Sequence, residues 1–188
     1  LLMMLLQGVS PIFTTVMLIV DLYINRRVRY FSVTLQRSID EMKIVVIYDS
    51  KTGNTEKMAK ALAEGASEHA EVEVMKIGEA FPLTIIADAD GVIFGSPVYY
   101  ADISNGMKDF LEHVETYIKA NKRKLNNKPA AVFGSYGYDG AWIMEERLKE
   151  RIMGLGYEVS DDVLVMIDSD IKYNFDTHSE KCKKFGKE

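Results

Sequence analysis

The hydrophobic positions of the chain from Met42 onward follow two different periods. Short, continuous runs of apolar residues, many of them β-branched, predict strands that are buried on both faces of a sheet. Longer segments place apolar residues three and four positions apart, which predicts amphipathic helices. The predicted strands are 43–48, 72–77, 91–95, 130–134 and 163–167. The predicted helices are 54–67, 107–118, 144–155 and a last helix that begins at 177 and stops short.

The order of these segments predicts the fold class. Strands and helices that alternate five times are typical of an α/β domain with one parallel sheet and helices on both faces. A chain of 188 residues can form one such domain with its own core. In these sheets, ligands bind beyond the carboxyl ends of the strands. We therefore expect a functional site in the loops that follow the strands.

The first 41 residues differ in composition and allow two interpretations. The segment 1–20 carries no charge, and about twenty such residues is the minimum length of a transmembrane helix. The arginines that follow it would keep the domain on the cytoplasmic side. In this interpretation residues 1–24 anchor the protein and provide its only membrane contact. In the other, residues 1–41 are upstream sequence, the natural protein begins at Met42, and the domain at 42–188 is cytoplasmic without a tether.

Composition and charge argue against several classes of function. The formal net charge of -5 disfavours nucleic acid as a partner, since phosphate backbones bind to basic surfaces. Cys182 is the only cysteine, which excludes an intrachain disulfide and a cysteine-based metal site. His69, His113 and His178 lie far apart in the sequence, without the spacing of metal ligands. No metal ligand and no catalytic residue is predicted.

The loop after the first predicted strand has the composition of a phosphate site. It leads directly into a helix, where the first backbone amides are unpaired and the helix dipole favours an anion. Three hydroxyl side chains add donors, and Gly53 allows the backbone to curl around the anion. The alternative is an ordinary N-cap, in which Asn54 or Thr55 satisfies the first amides. The candidate phosphate-binding residues are Ser50, Lys51, Thr52, Gly53, Asn54 and Thr55.

Three motifs in this order resemble the flavodoxin family. Ser50-x-Thr52-Gly53-x-Thr55 behind a hydrophobic strand is similar to the flavodoxin phosphate loop. The segment 95–102, which reads GSPVYYAD, resembles one wall of the family's flavin pocket. The segment 133–142 is similar to a loop of short-chain flavodoxins and of the flavodoxin module of flavo-diiron proteins. The resemblance covers 42–188 and implies a doubly wound, five-stranded parallel sheet with strand order 2-1-3-4-5.

The resemblance also implies the cofactor and its contacts. FMN would be held non-covalently, with Tyr99 and Tyr138 on opposite faces of the flavin ring, since aromatic side chains suit a flat apolar ring. Backbone groups of the two flavin loops would bind the pyrimidine edge of the ring. Trp142 is expected to pack against the sheet or to cover the loop. The other residues implied in these two loops are Pro97, Val98, Tyr100, Ala101, Ser135, Tyr136, Gly137 and Asp139.

Tyr100 departs from the family pattern. Several flavodoxins have glycine at this position, where a peptide flips to hydrogen-bond the reduced flavin. Because tyrosine resists the positive φ values that glycine accepts, we expect the flip to be costly here. We therefore expect the one-electron-reduced flavin to be poorly stabilised, and we expect Tyr100→Gly to stabilise it.

The sequence leaves three functions open, two of them with redox activity and one without. The resemblance implies an electron carrier that docks to redox partner proteins through its acidic surface. The segment 96–100 and the helix start that follows also resemble NAD(P)H-dependent FMN or quinone reductases of the same fold, which usually act as dimers. The third alternative is a flavin-free interaction module, which the phosphate-loop hydroxyls argue against. The sequence does not determine the oligomeric state.

Overall fold

The computed structural model describes residues 42–125 and 127–188. The extension at 1–41, with both of its interpretations, lies outside the described residues. The strands are β1 Lys43–Tyr48, β2 Glu71–Lys76, β3 Gly91–Tyr99, β4 Asp102–Ile103, β5 Lys128–Tyr136 and β6 Tyr157–Ile167. The helices are α1 Asn54–Ala66, α2 Thr84–Asp88, α3 Asn105–Ala120, α4 Ala141–Gly154, α5 Asp168–Tyr173 and α6 Phe175–Lys187. In the described part of the chain, every helix is too short or too polar to cross a bilayer.

Five strands form one parallel sheet in the order β2-β1-β3-β5-β6. This is the predicted order 2-1-3-4-5, and the fold prediction is therefore confirmed. The short strand β4 is an addition, because it pairs only with β3 and runs antiparallel to it. Two residues are too few to show a period in the sequence, so the pattern of apolar positions did not reveal this strand.

The strands that carry the site extend further than predicted. The third strand was expected to end at Gly95, but β3 continues to Tyr99 and pairs with β5 as far as the pair Pro97 and Ser135. Proline lacks a backbone donor and interrupts a ladder within a sheet. It is accommodated here because β1 pairs with β3 only as far as Gly95.

The core consists of two apolar clusters, one on each face of the sheet. Val45 and Ile47 of β1 belong to one cluster, and Val46 and Tyr48 belong to the other. Successive side chains of a strand point to opposite faces, so a strand between two helical layers is apolar at every position. This is the physical reason for the continuous apolar run at 43–48.

The last helix is longer than expected. The sequence predicted a helix that begins at 177 and stops short, but α6 spans 13 residues and packs on α1. A Cβ atom at Gly65 would overlap the backbone carbonyl of Lys183, and one at Gly186 would overlap that of Leu62. The two glycines therefore allow the helix backbones to approach each other. The prediction failed because α6 is mostly polar and buries only a narrow face that includes Cys182.

Candidate functional site

Three neighbouring cavities lie at the carboxyl ends of the strands. Their volumes are about 470, 460 and 430 Å³, within the range of small-molecule pockets. The first two share Tyr100 as a lining residue, and the second and third share Thr52. We call the three together the strand-end cleft. The predicted residues that line it are Lys51, Thr52, Asn54, Val98, Tyr99, Tyr100, Ala101, Gly137, Tyr138 and Asp139.

The loop between β1 and α1 leaves the start of the helix without a side-chain cap. Its N-cap residue is Gly53, with φ 89°, and among residues 42–125 and 127–188 no side chain accepts a hydrogen bond from the first amides of α1. The ordinary capping by Asn54 or Thr55 is therefore not observed. Ser50 is buried, and its Oγ instead accepts a hydrogen bond from the Gly53 amide at 3.1 Å. The first turn of α1 thus keeps unpaired amide donors, which is the arrangement that favours an anion.

Two of the predicted hydroxyls lie beneath the cleft and bind each other. Thr55 Oγ1 and Ser135 Oγ are 3.0 Å apart, and only 1% and 2% of these residues is exposed. Their hydrogen bond connects the first turn of α1 to the end of β5. Pro97 is also buried at this level, while Tyr136 is partly buried at the end of β5. The structure therefore brings all sixteen predicted residues to one end of the sheet, in a buried lower layer and an exposed upper one.

The second loop is a tight hairpin. Tyr99 pairs with Asp102 across β3 and β4, so Tyr100 and Ala101 are the two loop residues. Their φ angles are +54° and +55°. Two-residue hairpin loops with positive φ at both positions have type I′ geometry, which favours Asn-Gly and similar pairs. The side chain of Tyr100 is fully exposed.

This hairpin corrects the argument made from the sequence about Tyr100. Tyrosine was expected to resist a positive φ, but Tyr100 adopts one. The strain of a positive φ is therefore already present in this conformation, and it is not an added cost of the peptide flip. The expectation of a poorly stabilised one-electron-reduced flavin stays a prediction, but the reason given for it does not hold.

The loop between β5 and α4 contacts this hairpin. Gly140 has φ +82°, and a Cβ atom there would lie 2.6 Å from the Cβ of Ala101. Glycine is required at this position for both reasons. Tyr138 is fully exposed, and Trp142 is 61% exposed beside it in the same cavity. Trp142 therefore does not pack against the sheet, and the alternative prediction, that it covers the loop, fits its position.

Tyr99 and Tyr138, which were predicted to cover opposite faces of the flavin ring, line different cavities. Tyr138 shares its cavity with Tyr100, whereas Tyr99 lines the neighbouring one. The Lys51 ammonium lies 5.5 Å from the centre of the Tyr99 ring, a cation–π distance. Burial raises the pKa of the Tyr99 hydroxyl, and the carboxylates of Asp49 and Asp168 raise this pKa further.

The residues that follow the last strand also belong to the cleft, although the sequence pattern did not predict them. Asp168, Ser169 and Lys172 of α5 line the third cavity, together with Lys57 of α1. Asp168 Oδ1 is buried and has no hydrogen-bond partner among the described residues. Ligands bind beyond the carboxyl ends of parallel strands. This rule, applied to the fifth predicted strand as to the others, would have predicted Asp168. A buried acceptor without a donor is costly and indicates a missing partner.

Asp102 and Lys108 were also missed. Asp102 Oδ2 lies 2.6 Å from Lys108 Nζ and 2.7 Å from Arg147 Nη1. Burial acts to raise the pKa of this carboxyl, but the hydrogen bonds from Lys108, Arg147 and the Ile103 amide outweigh it and lower the pKa to about 2. The carboxylate therefore joins the hairpin to α3 and α4 in its charged form.

The comparisons with known proteins identify the family. The family model for flavodoxins matches residues 46–182 of the chain. The chain belongs to the flavodoxin family. The matched residues include all three loops of the strand-end cleft.

Individual known proteins are moderately similar to the chain. A flavodoxin of Clostridium saccharobutylicum is 35% identical over 95 residues, which are 50% of this chain and 56% of that protein. An NAD(P)H dehydrogenase (quinone) of Archaeoglobus fulgidus is 35% identical over 118 residues, 50% of this chain and 61% of that protein. The crystal structure of oxidised flavodoxin 1 from Bacillus cereus matches with a TM-score of 0.60 and 30% identity, over 77% of this chain and 94% of that one. The chain thus spans about 56–61% of the length of the first two relatives.

Proposed function

We propose that the strand-end cleft binds FMN and that the protein transfers electrons with it. The observation that carries the proposal is the uncapped start of α1, because Asn54 and Lys57 of its first turn line a cavity together with Lys172. A terminal phosphate is the anion that such a helix start binds. The other half of the cleft carries exposed aromatic side chains, which suit a flavin ring. The flavodoxin family, whose proteins bind FMN, supports the same conclusion.

The chemistry of the cleft residues assigns each of them to one part of FMN. The first amides of α1 and the Thr52 hydroxyl would bind the phosphate. Asp168 Oδ1, a buried acceptor that finds no donor in the described part of the chain, fits the polyol chain, whose hydroxyls are donors. Tyr100 and Tyr138 line the cavity that suits the ring. The residues therefore fit the cofactor at each of its three parts.

When bound, FMN supplies the redox chemistry, and the protein binds it and tunes its potential. The hairpin and the β5–α4 loop would hold the ring and exclude water from its faces. The carboxylates of Asp49 and Asp168 lie close enough to Tyr99 to raise the pKa of its hydroxyl. The Asp102 carboxylate, in contrast, is paired with two cations. Negative charge disfavours further negative charge on the ring, so Asp49 and Asp168 would lower its reduction potential.

Flavin titrations test the proposal. We expect FMN to bind with submicromolar affinity, at least about tenfold more tightly than riboflavin, since only FMN has the phosphate that the helix start would bind. Thr52→Ala should weaken the binding of FMN and leave the affinity for riboflavin unchanged. Thr116→Ala is the matched control, because the Thr116 hydroxyl donates to the Glu112 carbonyl within α3 and lines none of the three cavities. Equal affinity of the unmodified protein for FMN and riboflavin would contradict the proposal.

The second candidate is an NAD(P)H-dependent reductase, which the similarity to the Archaeoglobus fulgidus dehydrogenase favours. Steady-state oxidation of NADH or NADPH by the FMN-loaded protein alone distinguishes the two. We expect no such turnover from an electron carrier, which instead needs a redox partner protein. Docking of that partner through the acidic surface, and a cytoplasmic location, stay predictions.

A further inference from the structure

The hairpin between β3 and β4 is strained at both loop positions. Tyr100 and Ala101 have positive φ, and neither is a glycine or an asparagine. Such residues are costly in this region and persist only where the surrounding structure holds them. A β4 of two residues provides only two cross-strand pairs to do so. Something other than the ladder must therefore hold the turn.

Asp102, the residue directly after the turn, is held from three directions. Its Oδ1 accepts a hydrogen bond from the Ile103 amide at 2.8 Å. Its Oδ2 binds Lys108 of α3 at 2.6 Å and Arg147 of α4 at 2.7 Å. The carboxylate is mostly buried, with 21% of the side chain exposed. A charge-assisted contact to two helices is stronger than an exposed ion pair and fixes the end of the hairpin in place.

The position of the turn decides the shape of the cleft. Ala101 lies against Gly140, so the hairpin and the β5–α4 loop contact each other here. Val98, Tyr100 and Ala101 line one cavity with the residues of that loop. A turn that relaxed to negative φ would move these residues and open the contact.

We propose that Asp102 is a positioning residue that holds the Tyr100–Ala101 turn in its left-handed conformation and so keeps the cleft in the shape that the flavin needs. The inference rests on the proposed FMN binding. It predicts that the effect of Asp102 on FMN affinity depends on the strain of the turn. In a turn of Asn-Gly, which favours positive φ at both positions, the carboxylate becomes dispensable.

The test compares Asp102→Asn in two backgrounds. In the natural chain we expect FMN to bind about tenfold more weakly, the factor that corresponds to the strain of one left-handed residue. In the protein with Tyr100→Asn and Ala101→Gly, the same substitution should change the affinity less than about twofold. Asp88→Asn is the matched control, since Asp88 pairs with Arg123 at 2.9 Å and lines none of the three cavities. It should leave the affinity unchanged.

A second readout needs no flavin. A strong NOE between the amide and Hα protons of one residue reports positive φ, and we expect it at Tyr100 and Ala101 in the natural chain. Asp102→Asn should weaken it at both residues. If Asp102→Asn does not fold, Arg147→Met provides the same comparison with the carboxylate in place.

The outcomes separate the two proposals. An unchanged FMN affinity in Asp102→Asn, or an equal loss in both backgrounds, overturns the positioning role. An equal loss would mean that the Asp102 charge acts on the flavin itself. If the natural chain binds no FMN, the proposed function fails, and the NOE alone decides: its loss in Asp102→Asn supports the role of Asp102, and its retention overturns it.

Discussion

At the scale of single residues, the hairpin that lines the cleft has an unusual backbone conformation. Four non-glycine residues of the described chain have positive φ, and two of them, Tyr100 and Ala101, are adjacent in the hairpin. Lys122 and Asn127 lie in connections outside the cleft. Strained residues tend to concentrate at functional sites, where surrounding contacts maintain them. The hairpin is therefore expected to gain stability when the strain is removed.

Tyr100→Gly should stabilise the fold by about 1 kcal/mol, because glycine adopts positive φ without the steric cost of a side chain. Urea denaturation measures the change. Lys122→Gly, at φ +51°, should give a similar gain without touching the cleft. Tyr138→Gly tests the explanation, since Tyr138 is equally exposed but has no positive φ. A gain for Tyr138→Gly as large as that for Tyr100→Gly would count against strain as the cause.

At the scale of elements, α6 packs against α1, the helix that follows the candidate phosphate loop. Both helices use a glycine where their backbones meet, Gly65 in α1 and Gly186 in α6. Lys183 and Lys187 of α6 also form ion pairs with Glu64 and Glu68 at 2.9 and 2.8 Å. These pairs are exposed and contribute little to stability. The close packing of the two backbones therefore stabilises the contact more than the ion pairs do.

Gly65→Ala should destabilise the protein by about 2 kcal/mol, because its Cβ would overlap the carbonyl of Lys183 and push α6 away. Thermal or urea unfolding checks this. The control is Gly154→Ala at the end of α4, where a Cβ meets nothing within 4 Å. Alanine is the better helix former there, so the control should be neutral or slightly stabilising. If both variants lose the same stability, the helix contact is not the cause.

At the scale of the whole molecule, the parallel sheet and both of its helical layers lie within residues 42–188. Among the described residues, the sheet and its helices enclose two apolar clusters of their own. A domain with its own core is expected to fold without further sequence.

A chain that begins at Met42 should therefore be produced in soluble form and bind FMN as tightly as the full chain. Size-exclusion chromatography and the FMN titration measure both properties side by side. Insoluble protein, or a loss of flavin affinity on truncation, would show that residues 1–41 contribute to the domain.

The order and type of the main elements could be predicted from the sequence, because the signals are local. A run such as 43–48 is apolar at every position only if both faces of the strand are covered. The candidate loops at 50–55, 95–102 and 133–142 stood out in the sequence because hydroxyl, glycine and aromatic residues follow strand ends. The sequence by itself thus determined the parallel sheet and the end of the sheet at which the candidate site lies, whereas the strand order came from the resemblance to flavodoxins.

Tertiary structure decided what depends on residues distant in sequence. The hydrogen bond between Thr55 and Ser135 joins positions 80 residues apart, and no local pattern reports it. The close approach of Ala101 to Gly140, and the ion pairs of Asp102 with two helices, arise only when the elements pack. The positive φ of Tyr100 goes against its own propensity, because contacts elsewhere outweigh a local preference of about 1–3 kcal/mol.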